Sequence, residues 1–156
     1  MTTSRQRNAR GEGGRLRQDI IDAAIRLIDK SGSCESMSLR AVAKEAGIAA
    51  PSVYPHFADR DALLLAILEQ LFDEVIAIRT KAEEAAAAAG GGPWEQLRAA
   101  EFAMVDYGLQ RPGHYKMLHE GRVISGLTEP RRASFGRPMQ VRVAALIRAI
   151  LAGDPS

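Results

Sequence analysis

A single cysteine, Cys34, rules out an internal disulfide and a cysteine-based zinc cage. A lone cysteine suits a reducing, cytoplasmic setting. Long apolar runs are also missing. Ala62 to Leu68 and Val143 to Ile147 are the longest, far short of the ~20 residues that span a bilayer. The N-terminus is polar and Arg-rich where a secretory signal would carry an apolar core, so membrane and export readings fall away. Histidine is scarce as well. His114 and His119 are five residues apart, on different helix faces, and Glu120 completes no convergent metal site, so no metal and no cofactor is expected. No glycine-rich phosphate loop occurs, since Gly90-Gly91-Gly92 lacks the lysine and spacing of one. No acid–base pair or nucleophile constellation converges, which disfavours an enzyme.

What is present is charge in blocks and helical periodicity. Of 156 residues, 26% are charged and 46% hydrophobic, ordinary values for a folded chain. The net +2 divides into +3 over residues 1–58, −5 over 59–111 and +4 over 112–156. Arg5, Arg7, Arg10, Arg15 and Arg17 face Glu12 alone, so residues 1–14 read as a flexible basic arm suited to a polyanion. No segment alternates polar and apolar over a strand's length. Leu16, Ile20, Ala23, Leu27 and Ile28 give a first helix over about residues 15–31, closed by Gly32. Ser38 caps a short helix through Ala46, and a second short helix runs from about Ala50 to Phe57. Asp59 caps a long helix with the stripe Leu64, Ile67, Leu68, Leu71, Val75, Ile78, ended by the three glycines. Pro93 to about Arg111 forms the next helix. It carries one stripe of Leu97, Ala100, Met104 and Tyr107 and another of Phe102, Val105 and Leu109, a pattern that predicts burial on most sides. Pro112 opens a short helix ending near Gly121, residues 121–138 are the least regular, and a last apolar helix covers about Pro138 to Ala152.

Ser38 to Tyr54 reads SLRAVAKEAGIAAPSVY: two helices too short to stand alone, joined at Gly47. Ala43 is small where they cross, Ala46 and Gly47 make the turn, and Val42, Ile48 and Val53 can meet beneath. This is the helix-turn-helix pattern, whose second helix enters the major groove; a generic helical corner is the competing reading. The following Tyr54-Pro55-His56-Phe57-Ala58-Asp59-Arg60, with Leu63 and the amphipathic first helix, extends the match. Together these residues resemble the TetR (tetracycline-repressor-like) family of bacterial transcriptional regulators over about residues 15–75.

That resemblance implies an all-α chain. A helix-turn-helix domain over residues 15–62 would be joined by a long helix to a ligand-binding and dimerisation part over 63–156, shorter than the family's usual one. It implies double-stranded DNA as partner, with Ala50, Pro51, Ser52 and Val53 at the start of the reading helix near base edges and Val53 turned toward the crossing. Tyr54 and His56 would reach phosphates, and Arg40 and Arg60 would clamp the flanking backbone. With no Arg, Asn or Gln in the reading helix, bidentate base contacts cannot come from it. Pro55 stands where the family usually has an amide donor, and its ring opposes the carbonyl of Pro51, predicting a shortened, 3₁₀-like reading helix. An effector pocket is expected among Trp94, Met104, Tyr107, His114, Tyr115 and Met117. The function implied is a ligand-responsive repressor on a pseudo-palindromic operator, acting as a homodimer, an assembly that the short C-terminus puts in question. The alternative is a constitutive DNA-binding or protein-interaction module whose C-terminal half binds no ligand.

Overall fold

The computed structural model describes residues 12–35, 37–119 and 129–153, the side chains of residues 12, 13 and 129–133 excepted. These residues are helical, with no strand among them: α1 (Glu12–Ser31), α2 (Leu39–Glu45), a 3₁₀ turn (Ala50–Ser52), α3 (Arg60–Ala88), α4 (Pro93–Gln110), α5 (Pro112–His119) and α6 (Glu129–Gly153). The helix α1 starts at Glu12, three residues before the expected boundary, so residues 12–14 are helical and not part of an arm. The rest of the expected arm lies outside the described residues.

Asp59 begins α3 as expected, its Oδ1 accepting from the Ala62 amide at 2.8 Å. At 1.5 Å per residue its 29 residues extend roughly 43 Å, long enough to serve two layers. Its first half buries Leu63, Leu64, Ile67 and Leu71 with Ile20, Ile21, Ala24 and Ile28 of α1 in the main core. Its second half pairs antiparallel with α4. Glu74 meets Tyr107 and Arg79 meets Glu101, pairs that straddle the Gly90–Gly92 turn symmetrically. The helix α5 touches α1, α3 and α4, and α6 lies against α4 and α3.

Two expectations fail here. The second stripe of α4 is open: Phe102 is 67%, Val105 56% and Leu109 78% exposed, because α3 and α6 cover only the other side. The irregular reading of residues 129–138 is also wrong. The helix α6 begins at Glu129 and carries Pro138 in its interior, a residue that costs a helix about 3 kcal/mol in isolation. Packing outweighs it: Phe135 stacks on Phe72 of α3 at 5.8 Å, and the buried Gly136 sits against the same ring.

Candidate nucleic-acid interface

The short helix α2 is held at both ends. Ser38 Oγ accepts from the Ala41 amide at 3.2 Å, closing its first turn. Substituting Ser38→Ala is expected to cost about 1 kcal/mol, read as a lower thermal midpoint. At the other end Gly47 adopts φ +70°, a conformation that strains any side chain, and Ile48 N–H returns to the Ala43 carbonyl at 3.0 Å. Val42, Ala43 and Val53 are buried beneath the crossing with Phe57, while Ile48 and Ala46 pack against them from the edge. The two halves of the helix-turn-helix reading therefore share one core. Glu45 ties α2 to α1, with Lys30 Nζ at 2.9 Å and Arg26 Nε at 3.2 Å. The hydrogen bond from Lys30, then that from Arg26, holds its carboxyl below the usual carboxylate range.

Pro55 acts as its chemistry requires. Ser52 N–H reaches Ala49 O and Val53 N–H reaches Ala50 O, both three residues back, so the segment opens as 3₁₀ and continues as turns to His56. The expected short reading element is what the backbone forms. Its tip is open to solvent among the described residues. Ala49, Pro51, Tyr54 and Pro55 are exposed, Tyr54 at 55%, with Ala50, Ser52 and His56 half-buried beside them and Val53 turned inward.

Arg40 is exposed on α2 and shares its face with Lys44, four residues on, which was not among the expected contacts. Neither makes an ion pair among the described residues. The i, i+4 spacing was the available signal for Lys44. Arg60 also has partners inside the chain: its Nε donates to Met37 O at 2.9 Å and its Nη2 to Cys34 O at 2.7 Å, bracing the loop before α2, while Nη1 lies 3.9 Å from Asp61 Oδ1. Arg17, also unanticipated, lies over the Phe57 ring at 5.0 Å.

The six residues expected to line one pocket are not brought together. Trp94 is exposed and Met117 is core. Tyr107 and His114 are buried at a joint between four helices. The Tyr107 oxygen lies 2.9 Å from His114 Nδ1 and 3.2 Å from Glu74 Oε2. His114 Nε2 lies 2.8 Å from Asp29 Oδ1 of α1, yet off the axis of a straight N–H bond, and counts as an unsatisfied buried nitrogen. Arg111 adds a 3.4 Å contact to Asp29. Burial and the Glu74 charge push the Tyr107 hydroxyl above its ordinary range, so it stays protonated. Burial also outweighs the Asp29 and Glu74 charges at His114 and holds its pKa below 6.5, keeping the ring neutral at pH 7. The folded state thus binds this proton less readily than the unfolded chain. The associated stability is present above pH 6.5 and is lost as pH falls toward the lower folded value. Urea melts across that range should show the loss in the native chain and a shallower slope in His114→Gln.

Met104 and Tyr115 do reach open space. A hollow of about 380 Å³ between α3, α4 and α6 is lined by Arg79, Glu101, Met104, His119, Met139 and Val143 among others. A second, of about 460 Å³, shares Glu101, Met104 and His119 and adds Tyr115. Arg79 is 4% exposed and donates to Glu101 at 2.6 Å. That hydrogen bond, more than the bare charge, lowers the Glu101 pKa. Among the described residues no helix is long and apolar enough to cross a membrane.

Residues 20–67 match the family model of bacterial regulatory proteins, tetR family. Among solved structures, the chain is similar to a TetR family transcription regulator from Marinobacter aquaeolei VT8. Identity is 22% and the TM-score 0.63, over 93% of this chain and 71% of that one. At that identity the likeness is one of fold.

Proposed function

We propose that this chain, whose residues 20–67 match the tetR family model and whose fold is like that of a TetR family regulator, is a ligand-responsive repressor that grips a pseudo-palindromic operator as a homodimer. The observation that carries the reading is the tip from Ala49 to His56, set on a shared buried core with Arg40 and Lys44 exposed on the adjoining helix. In this reading Arg40, Lys44, Tyr54 and His56 hold phosphates and fix the register. Ser52 and the apolar tip residues Ala50 and Pro51 meet base edges and thymine methyls. Val53 and Arg60 are positioning residues, one buried under the tip and one bracing the loop.

Two tips must fall on successive major grooves, roughly 34–36 Å apart. The open stripe Phe102, Val105, Leu109 on α4, with Val141, Ile147 and Leu151 on α6, is apolar surface that a second copy would cover. An effector in the hollow between α3, α4 and α6 presses on His119 of α5, whose other end grips Asp29 of α1 through Arg111 and His114. It acts only through unequal affinity for the two arrangements.

The test is selection of duplexes from a random pool, followed by anisotropy titrations at several salt concentrations. Each phosphate contact removed should lower the salt slope by about 0.9. The double variant Arg40→Ala/Lys44→Ala is therefore expected to lose close to two units of slope, across all sequences alike. No selected duplex, or an unchanged slope, overturns the reading. Sedimentation reports the dimer separately.

A further inference from the structure

The hollow between α3, α4 and α6 has one charge at its floor. Arg79 is 4% exposed, and its carboxylate partner Glu101 sits at the rim, with its side chain 56% exposed. The rest of the lining is apolar at Met104, Met139, Val143, Ala144 and Ile147 and polar at His119 and Gln140. A site with so large an apolar share accepts an apolar body, and Arg79 is the buried charge in its lining that can anchor a head group. Methionines at two positions let the wall adapt to its occupant.

The ion pair decides which sign of ligand fits. A buried guanidinium without its carboxylate is strongly unfavourable. A cation entering the hollow must either share Glu101 or take it, and in both cases a second positive charge lies beside Arg79. A carboxylate does the reverse. It replaces Glu101 on the planar fork of Arg79, and the displaced Glu101 swings into water from a position already half in it. Throughout the exchange the buried charge keeps a partner. The neighbouring pair offers no competing anchor, because Arg142 is bound through both Nε (2.9 Å) and Nη2 (2.6 Å) to Glu83. The fork geometry of arginine suits two parallel bonds to one carboxylate.

We propose that this hollow binds an apolar monocarboxylate, whose head group displaces Glu101 from Arg79 while its hydrocarbon or aryl body lies along Met104, Met139, Val143 and Ile147. The proposal names the chemical class of the effector in the regulator reading above, and as an effector assignment it rests on that reading. Occupancy of the hollow does not require DNA. Glu101 also borders the second hollow, together with His119 and Tyr115 of α5.

Octanoate, octylamine and octanol are titrated calorimetrically into the whole chain and into Glu101→Gln and Arg79→Lys. Octanoate is expected to bind and octylamine not to. Glu101→Gln removes the competing carboxylate from an exposed position and should tighten octanoate about tenfold, or 1.4 kcal/mol. Arg79→Lys keeps the charge but loses the fork, and should weaken octanoate by a similar factor. Octylamine binding as well as octanoate, no binding of any of the three, or an octanoate affinity unchanged or weakened in Glu101→Gln would each overturn the assignment. Thermal melts of both variants accompany the titrations, and the octanoate–octylamine comparison on the unaltered chain decides the ligand's sign if either variant folds poorly. Duplex affinity measured with and without octanoate separates the two ideas. Tight octanoate binding with duplex affinity unaltered keeps the ligand class and removes its role as effector.

Discussion

Replacing Phe57 by alanine is expected to cost the chain about 3–5 kcal/mol and to abolish duplex binding with it. The ring is 2% exposed and lies where the reading turn ends and α3 is about to begin. It belongs to the same core as Val42 and Val53 beneath the crossing, Ile20 and Ile28 of α1, and Leu63 and Leu64 of α3. No other large apolar side chain lies between Val53 and Leu63 to fill the gap, since that stretch is Tyr-Pro-His-Phe-Ala-Asp-Arg-Asp-Ala. Arg17, stacked at 5.0 Å, would be left over a void. Against a total stability of about 5–15 kcal/mol, such a loss leaves a population with the reading turn detached. The comparison that gives the result its meaning is Tyr54→Ala, three residues earlier. Tyr54 is 55% exposed, so its loss should change stability by less than about 0.5 kcal/mol while still weakening duplex binding. Urea melts and anisotropy titrations on the two variants check both statements. Equal stability losses would mean that Tyr54 is packing, not surface.

The reading head was legible in the sequence because its rules are local. A cap at Ser38, a left-handed glycine at Gly47 and a proline that forbids an α-helical reading element are each decided by residues a few places apart. The structure realises all three. The same holds for α3 and α4, bounded by Asp59, the three glycines and Pro93. What failed was decided across the fold. Stripes on α4 show which residues share a face, but not that α3 and α6 cover one side only and leave Phe102 and Leu109 open. Pro138 looked like a helix start because propensity is local, whereas Phe135 on Phe72 is a contact between residues 63 places apart. For Arg60 the charge is visible in sequence, whereas its bracing of the loop before α2 is not. The carbonyls it serves belong to Cys34 and Met37 on the far side of the helix-turn-helix. Trp94, Tyr107 and Met117 shared a composition with a pocket but not a location. The polar anchor of the hollow, Arg79 with Glu101, is a pair that only the antiparallel α3–α4 hairpin creates.

The joint between the reading head and the later helices makes the second large effect, and two glycines test it against each other. A Cβ on Gly113 would lie 2.9 Å from the Ile28 carbonyl oxygen and 3.0 Å from Ile28 Cγ2. A Cβ on Gly108 would lie 2.8 Å from Cδ2 of Tyr115. The distances are nearly equal and the neighbours are not. The Ile28 carbonyl is backbone inside α1 and cannot give way, whereas Tyr115 is 41% exposed and its ring can turn outward. In α4, Gly108→Ala also gains about 0.8–1 kcal/mol of helix propensity, which offsets the disturbed ring, so its net effect should be close to zero. Gly113→Ala must lift α5 from α1, at about 1–3 kcal/mol for an overpacked site. Lifting α5 draws His114 and Arg111 away from Asp29, their 2.8 and 3.4 Å partner, so the link proposed between hollow and reading head is cut as well as weakened. The expected result is a chain that still binds duplex through an intact tip but whose duplex affinity no longer follows occupancy of the hollow. Calorimetric ligand binding should be retained in both glycine variants, and the ligand-dependent change in anisotropy should survive only in Gly108→Ala. If Gly113→Ala matches the native chain in both stability and response, the α1–α5 contact does not carry the signal, and the route from hollow to reading head must run along α3 alone.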